Sequence, residues 1–401
     1  MMQNQWFMNA LPIIETIEKH GYQAFFVGGC VRDLLSGRPI GDIDITTSAK
    51  PEVIQELFDK VIPVGIEHGT VIVRYNQVSY EVTTFRSEGE YSDNRHPDEV
   101  TFIDELDKDL ERRDFTINAL AMNKDGEIID LFGGQEDIQQ KIIRTVGNAS
   151  ERFKEDALRM IRALRFSSQL GFRIHSNTLK QMTTLRSDIQ HLAVERIEKE
   201  CAKLFAGDYV SYGVNYLEQT EIYRYLPVFS KYPILIEKVN PDLNPLLSFG
   251  ECIAYFHLLL PDVTVKEWIK SWKCSNQLLR EANEIVTAYH QYNNIGLDNW
   301  LVYNLETDFY EGFVRVSNLM GNNRKVSLDN LFKLQNELPI QSRKMLAING
   351  NDLVALFPDA KKGPWLQKLL RDIEKAVVYR EVPNSKQEIK EWIRCNPPVI
   401  N

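Results

Sequence analysis

Two aspartates one residue apart, Asp42 and Asp44, constrain the fold of this chain more than any other feature. They lie in residues 41–46, GDIDIT, where isoleucines occupy the alternate positions. Because side chains alternate between the two faces of a β-strand, the pattern predicts a strand that buries the isoleucines and presents both carboxylates on the other face. Two neighbouring carboxylates repel each other unless a cation lies between them. Oxygen ligands of this kind suit Mg²⁺, which binds a few carboxylates together with the phosphates of a substrate.

A pair of glycines, Gly28 and Gly29, predicts the other half of a site. Residues 24–27, AFFV, are typical of a short buried strand, and residues 30–35 are typical of a helix that begins directly after the glycines. The free N–H groups at the start of a helix bind anions, and Arg32 lies one turn inside this helix. Either feature alone is more often a turn or a solvated face. Their order, with a strand, a glycine pair, a helix and the aspartate strand, predicts phosphoryl or nucleotidyl transfer.

The length and composition are those of an ordinary globular protein. A chain of 401 residues, 43% of them hydrophobic, has room for about two to four domains. No apolar run approaches the roughly 18 residues of a membrane span, and the first residues lack the basic and apolar segments of a signal peptide. Five scattered cysteines without a Cys-x-x-Cys pair argue against a zinc site or a disulfide framework and favour a reducing cytoplasm.

The net charge of −9 argues only superficially against a nucleic-acid partner. Residues 141–205 contain 13 Lys and Arg against 7 Asp and Glu. A basic segment inside an acidic protein can still hold phosphates, because the field that binds them is local.

The order of the predicted elements indicates an α+β fold. About the first 135 residues alternate between helix and strand patterns, whereas from about Asp137 onward strand patterns disappear and helices continue to the end. The polar segment 86–98 predicts a long exposed loop, and loops of this length are usually functional or disordered. The predicted elements of the first part are a helix at 11–20, a helix from Pro51, strands at 69–75 and 79–85, and a hairpin of 119–123 with 127–131.

A second cluster lies in residues 111–118, ERRDFTIN. Arg113 can neutralise the charge of a phosphate in a transition state. Asp114 and Asn118 can hold ribose hydroxyls or a metal-bound water. On its own the segment is also typical of a solvated helix start, so its importance depends on a neighbouring phosphate site.

A third cluster lies in residues 155–166, EDALRMIRALRF, which have the apolar spacing of a helix. Asp156 and Arg159, three residues apart, are then neighbours on its surface. Arg162 and Arg165 continue the spacing of three, but each step turns the direction back by about 60°. Arg165 therefore points away from Asp156 and is better placed for a phosphate than for a base. Without the other clusters, an ordinary ion pair with solvated arginines is the simpler interpretation.

A carboxylate beside a guanidinium selects between nucleotide bases. Cytosine and adenine each offer an amino group to Asp156 and a ring acceptor to Arg159. Uracil and guanine instead place a carbonyl against the carboxylate and an N–H against the guanidinium. Each such mismatch costs about 1–3 kcal/mol, so two of them exclude UTP and GTP. The pair predicts selection of C and A.

In these clusters the chain resembles the class II tRNA nucleotidyltransferases, the CCA-adding enzymes of the polymerase-β-like superfamily. The similarity is strongest over residues 24–205 and covers most of the chain. The motifs that carry it are GGxxRD at 28–33 with DxD at 42–44, RRDxxxN at 112–118, EDxxR at 155–159 and RxxxE at 196–200. The resemblance implies a mixed-sheet catalytic head over residues 1–138, a helical neck with base recognition over 139–206, and a helical body and tail that bind tRNA over 207–401.

The resemblance also implies a two-metal mechanism in which Asp42 and Asp44 hold Mg²⁺. Glu81 is a hypothetical third carboxylate of that catalytic centre. Asp156 and Arg159 act as the protein template for CTP and ATP, which are added as C, C and A to the 3′ end of tRNA, without a nucleic-acid template and with release of pyrophosphate. The residues expected to bind the nucleotide are Gly28, Gly29, Arg32, Arg113, Asp114, Asn118, Asp156, Arg159, Arg162 and Arg165.

Related activities are the alternatives. The family includes bacterial poly(A) polymerases and enzymes that add only CC or only A, and a non-catalytic RNA-binding protein is the alternative of another class. Residues 64–71, VGIEHGTV, resemble the CCA-adding form. The loop that contains Asp93, Asn94 and Arg95 resembles a flexible element that CC-adding relatives tend to lack. A homodimer and a part in tRNA repair are further expectations from similar enzymes.

Overall fold

The computed structural model of the protein describes residues 4–89, 100–240, 242–321 and 325–399. The chain divides into two compact units, Met1–Pro245 and Leu246–Asn401. The predicted boundaries after residues 138 and 206 lie inside the first unit and stay predictions. The predicted flexible element with Asp93, Asn94 and Arg95 lies outside the described residues.

In the described residues, the first unit contains a mixed main sheet and two separate pairs of strands. Its strands are β1 (Ala24–Val27), β2 (Asp44–Thr47), β3 (Val61–Gly65), β4 (Thr70–Tyr75), β5 (Val78–Thr84), β6 (Arg86–Glu88), β7 (Val100–Phe102), β8 (Leu120–Met122), β9 (Ile128–Asp130), β10 (Ile142–Ile143) and β11 (Arg173–Ile174). The main sheet has seven strands in the order β3-β4-β5-β2-β1-β8-β9. In it β2 and β5 run parallel and the other neighbours run antiparallel. Two separate pairs are β6 with β7 and β10 with β11.

The first unit also contains helices, and helices predominate in the chain after β9. The helices of the first unit are α1 (Gln5–Lys19), α2 (Gly29–Leu35), α3 (Pro51–Leu57), α4 (Leu106–Glu111), α5 (Gly134–Gln140), α6 (Ala149–Glu155), α7 (Leu158–Leu170), α8 (Ser176–Leu185), α9 (Val194–Phe205), α10 (Val210–Thr220) and α11 (Ile234–Lys238). α7 packs against α9 and α10. Gly213 allows the close approach of α10, because a Cβ at that position would lie 3.0 Å from the carbonyl oxygen of Leu164.

The main predicted elements of the first unit are confirmed. α3 begins at Pro51, and β4 and β5 match the two predicted strands to within one residue at each end. β8 and β9 form the predicted hairpin. Asn76 and Gln77, between β4 and β5, have φ values of 47° and 66°, as a two-residue hairpin turn requires. The α+β class, with a mixed sheet followed by helices, is confirmed.

The predicted aspartate strand is shorter than expected. β2 begins at Asp44, so Asp42 lies in the segment before it. The register pairs Phe26 with Ile45, which places the last residue of β1 opposite Asp44 and leaves no β1 residue to pair with Asp42. Alternation still holds, since Ile43 and Ile45 are buried while Asp42 is exposed.

Two further predictions are wrong because they missed short strands. Strands do not end near residue 137, because Ile142 pairs with Arg173 in the parallel pair of β10 and β11. Residues 86–98 are not loop throughout, because β6 at their start pairs with β7 beyond them. These strands have two or three residues, which is too few to produce a periodic pattern in a sequence.

The second unit is helical in the residues that the structure describes. Its helices are α12 (Phe249–Leu259), α13 (Val265–Ser271), α14 (Asn276–Ile295), α15 (Asn299–Asn304), α16 (Tyr310–Leu319), α17 (Leu328–Glu337), α18 (Gly350–Leu356), α19 (Pro364–Val378) and α20 (Lys386–Cys395). Trp268 and Trp272 are buried there, with ring contacts to Phe256 and Phe249. Within the described part of the chain, no helix combines the length and the apolar character needed to cross a membrane.

Candidate active site

A cavity of about 760 Å³ opens between the main sheet and the helices α7 and α9. Nine cationic side chains and four carboxylates line it, so its walls favour an anionic ligand. All residues predicted to bind metal or nucleotide line it except Glu81, which lines a neighbouring cavity with Asp44 and Arg113. The lining residues are Gly28, Gly29, Arg32, Asp42, Asp44, His68, Arg86, Arg112, Arg113, Asp114, Asn118, Asp156, Leu158, Arg159, Arg162, Arg165, Phe166, Gln169, Arg196 and Lys203.

Gly28 lets an arginine approach the turn between β1 and α2. Its φ is 75°, and a Cβ there would lie 3.0 Å from Nη1 of Arg113. Both the backbone angle and this contact favour glycine. The guanidinium of Arg113 therefore lies over the glycine turn, where the sequence predicts a phosphate.

Asp44 and Glu81 lie opposite each other on the parallel strands β2 and β5. Burial raises the pKa of Asp44 to about 6, and the nearby Glu81 and Asp42 add to this rise while Arg113 opposes it. A bound cation stabilises carboxylates that are crowded in this way. No group of three or more His, Cys, Asp or Glu within the described residues is arranged to hold a metal ion. The two carboxylates of Asp42 and Asp44 suit a divalent cation that takes its other ligands from phosphates and water.

Asp114 connects arginines from two parts of the first unit. Its Oδ2 accepts a hydrogen bond from Nε of Arg162 at 2.8 Å, and its Oδ1 accepts one from Asn118 at 3.0 Å. Asn118 in turn accepts a hydrogen bond from Arg32 at 2.7 Å. Burial alone would raise the pKa of Asp114, but Arg162 and Asn118 lower it to about 2. Contacts of Asp114 and Asn118 with ribose stay predictions.

Glu200 of α9 provides the opposite charge for the last two arginines of α7. Its carboxylate lies 2.9 Å from Nε of Arg165 and 3.8 Å from Nη1 of Arg162. Burial and the positive charge of Arg162 lower the pKa of Arg165 to about 10. Both guanidiniums line the cavity, so they are available to a ligand with several negative charges.

The sequence predicted one continuous helix that contains both Asp156 and Arg159. This prediction is wrong, because the helix is broken between Glu155 and Leu158. α6 ends at Glu155, Asp156 is extended with φ −145° and ψ 104°, and α7 begins at Leu158. Oδ1 of Asp156 accepts the N–H of Leu158 at 3.0 Å, which is how an acidic side chain starts a new helix. Apolar spacing could not reveal the break, because burial continues through Ala157 and Leu158.

Asp156 and Arg159, the base-recognition pair, are held by different partners. Oδ2 of Asp156 accepts a hydrogen bond from Arg196 at 2.7 Å. Arg159 donates to the carbonyl oxygen of Arg112 at 3.1 Å and contacts Glu155. The simpler interpretation, an ion pair between the two residues, is therefore wrong. Each residue is held by its own partners, and both line the cavity.

Asp109 was not identified from the sequence, although it supports the site from beneath. It is fully buried, and it accepts hydrogen bonds from Arg112 at 2.8 Å and Arg113 at 3.3 Å. Thr46 of β2 also donates to it at 3.3 Å. Its spacing of three and four residues from the two arginines is a helical ion-pair pattern that would have indicated this role. Other lining residues not predicted are His68, Arg86, Leu158, Phe166, Gln169 and Lys203, and Arg112 and Arg196 were noted only as parts of motifs.

The chain matches three protein-family models. One, described as the Poly A polymerase head domain, covers residues 24–144. A second, an RNA and SrmB-binding site of polymerase A, covers residues 171–232, and a third, tRNA nucleotidyltransferase domain 2, covers residues 250–393. With the sheet and the cavity described above, these matches define a nucleotidyltransferase.

Relatives that align with this chain over almost their whole length identify which nucleotidyltransferases it belongs to. The chain is 49% identical to the CCA-adding enzyme of Oceanobacillus iheyensis over 401 residues, which is 100% of both chains. It is 45% identical to the CCA-adding enzyme of Anoxybacillus flavithermus, covering 98% of both. A solved structure of the Bacillus stearothermophilus CCA-adding enzyme in complex with CTP is 37% identical, with a TM-score of 0.87 and 98% of both chains covered. The chain belongs to the CCA-adding enzymes, a family of tRNA nucleotidyltransferases, and this membership implies dependence on a divalent metal.

The low pKa of Asp114 predicts how stability depends on pH. A carboxyl group whose folded pKa lies below its unfolded value stabilises the protein above the unfolded value, and this contribution is lost as pH falls through the folded pKa. The window here runs from about pH 4 down to pH 2. The Asp114→Asn variant should be less stable than the parent at pH 7, and this difference should shrink by about 2 kcal/mol across the window.

Urea unfolding followed by circular dichroism at several pH values measures this difference. Asp208→Asn is the matched control, because Asp208 is exposed and lies 3.9 Å from Arg38, and exposed pairs contribute about 0–1 kcal/mol. A difference between Asp114→Asn and the parent that stays constant from pH 5 to pH 2 would contradict the prediction.

Proposed function

We propose that the protein adds C, C and A to the 3′ end of tRNA, using CTP and ATP and releasing pyrophosphate. The observation that carries this proposal is one cavity that contains both the aspartate pair and the base-recognition pair. Chemistry at a phosphate and selection of a base can then act on the same nucleotide. Full-length similarity to CCA-adding enzymes supports the same activity.

The arginines of the cavity fit the nucleotide's phosphates. Arg113 lies over the glycine turn, and Arg32, Arg162 and Arg165 line the same cavity. Fixed positive groups stabilise the negative charge that develops as a phosphate bond breaks. Each of these arginines is already positioned by protein contacts, so little reorganisation is needed when the nucleotide binds.

Asp42 and Asp44 fit Mg²⁺, and Glu81 is proposed as a further ligand. Burial and neighbouring acids disfavour the charged form of Asp44, and a divalent cation removes that disadvantage. Asp42 and Asp44 would hold the metal, and the chemistry that it would supply there is activation of the tRNA 3′-hydroxyl and charge balance for the pyrophosphate. The proposal for Glu81 is supported by the register of the parallel strands, in which Glu81 lies opposite Asp44.

The base-recognition pair acts by hydrogen bonding to the incoming base. Two lone-pair directions of Asp156 are engaged by Leu158 and Arg196, and a carboxylate has about four. Acceptor capacity therefore remains for the amino group of cytosine or adenine. Arg159 supplies the donor beside it.

The remaining proposals concern tRNA, location and assembly. The helices after residue 206 are proposed to bind tRNA, and no individual contact is assigned to them. The relatives compared above are bacterial, and a tRNA-processing protein of a bacterium is expected in the cytoplasm. A homodimer and a part in tRNA repair stay predictions from similar enzymes.

A poly(A) polymerase is the second candidate, because the model that matches residues 24–144 describes a poly(A) polymerase head. The two activities differ in their first nucleotide. The protein should extend a tRNA that lacks its terminal CCA with labelled CTP alone by two residues, and by a third when ATP is added. A gel of the products measures this, and Asp42→Ala should abolish extension because half of the metal-binding pair is lost.

Two results of that experiment would contradict the proposal. Addition of long A tracts without incorporation of C would identify the poly(A) activity instead. Equal labelling by Asp42→Ala and the parent would exclude the aspartate pair as the catalytic centre.

Replacing Asp156 with Ala should relax the preference for CTP over UTP and leave tRNA affinity largely unchanged, because the carboxylate that repels the uracil carbonyl is removed. The discrimination lost should be about tenfold or more. The ratio of kcat/KM for CTP and UTP measures it. Asp156→Asn is the structural control, because its amide oxygen can still cap Leu158 of α7. An unchanged ratio in both variants would refute the role in base choice.

Glu81→Gln should raise the Mg²⁺ concentration needed for half-maximal incorporation of CTP, by about tenfold, if Glu81 helps to hold the metal. A titration of activity with Mg²⁺ measures the shift. Glu52→Gln, an exposed residue of α3, is the matched control. Near-normal turnover of Glu81→Gln across all Mg²⁺ concentrations would exclude Glu81 as a ligand.

A further inference from the structure

Three arginines of the cavity surround one aromatic ring. The guanidinium carbon of Arg165 lies 4.2 Å from the centre of the Phe166 ring, and those of Arg32 and Arg162 lie 5.3 Å and 5.4 Å from it. Phe166 is 5% exposed and lines the cavity. Cations within about 6 Å of a ring centre are attracted by its π-electrons, and this attraction grows as water is excluded.

The three guanidiniums lie close enough to repel one another, and the ring adds an attraction that all three share. Burial and the charges of Arg162 and Arg32 all disfavour the charged form of Arg165. Carboxylates offset this repulsion in pairs, since Arg32 pairs with Asp33, Arg162 with Asp114 and Arg165 with Glu200. An aromatic ring attracts all three cations without adding a negative charge that would compete with an anionic ligand.

The ring is itself fixed by its neighbours. Phe115 contacts it edge to face, with 5.7 Å between ring centres and an angle of 85°. Phe115 is fully buried, and its N–H donates to Asp114, which also accepts from Arg162. The aromatic pair and the charged groups therefore belong to one packed arrangement rather than to two independent ones.

We propose that Phe166 is a positioning residue whose ring holds Arg32, Arg162 and Arg165 in the array that binds the polyphosphate of the incoming nucleotide. The inference rests on the proposed function and deepens it. It assigns Phe166 to affinity for the phosphates shared by CTP, ATP and pyrophosphate. Phe166 takes no part in base choice, because Asp156 and Arg159 are anchored by Arg196 and Glu155 instead.

Binding measured without tRNA tests the proposal directly. Calorimetric titration with pyrophosphate, and separately with CTP, should show about tenfold weaker binding to Phe166→Leu than to the parent, because an apolar side chain without a π-face loses the attraction that the three cations share. Phe166→Met keeps more of the volume and should lose a similar amount. Phe166→Tyr keeps the ring and should bind within about twofold of the parent. The preference for CTP over UTP should not change in any of the three.

Phe172→Leu is the matched control for the loss of a buried ring. Phe172 is also 5% exposed and lies six residues further along the chain. This variant should lose thermal stability comparable to that of Phe166→Leu and keep the parental affinity for pyrophosphate.

Three outcomes would overturn the proposal. They are parental pyrophosphate affinity in both Phe166→Leu and Phe166→Met, an equal loss in Phe172→Leu, and a loss in Phe166→Tyr as large as in Phe166→Leu. Failure of the proposed function is distinguishable from these. In that case the parent binds pyrophosphate but does not add C, C and A to tRNA, and the role of Phe166 in polyphosphate binding is judged from the titrations alone.

Discussion

The site depends on concentrating positive charge around one cavity before any substrate binds, and buried carboxylates of the first unit make this possible. Nine cationic side chains line the cavity, and unpaired they would repel one another. Asp109, Asp114 and Glu200 are buried among them, each in contact with two arginines or with an arginine and an amide. Removing one partner of a buried ion pair costs about 3–5 kcal/mol, so these carboxylates fix the positions of the guanidiniums as well as balancing their charge.

The same contacts join the sheet to the helices. Asp109 accepts from Thr46 of β2, next to the aspartate pair, and from Arg113, which lies over the turn at Gly28. Asp156 starts α7 and is held by Arg196 of α9. A site made in this way is preorganised, because its charged groups are oriented by the folded protein before the nucleotide binds.

Much of this could be predicted from the sequence, because several signals are local. Alternation fixed the burial of Ile43 and Ile45, and Pro51 marked a helix start. The residues predicted to bind metal or nucleotide, apart from Glu81, line one cavity. The rest depends on contacts distant in the sequence. The break at Asp156 arises from its own side chain, the pairing of Glu200 with Arg165 joins two helices, and the start of β2 is decided by where β1 ends. For the helical second unit, periodicity predicts packing but indicates no chemistry.

The most direct test of the account is a crystal structure of the protein with CTP and Mg²⁺. The account predicts a divalent ion bound by Asp42 and Asp44, with the cytosine amino group at hydrogen-bond distance from Asp156 and its ring acceptors facing Arg159. An ion absent from the two aspartates, or a cytosine bound away from Asp156 and Arg159, would contradict it.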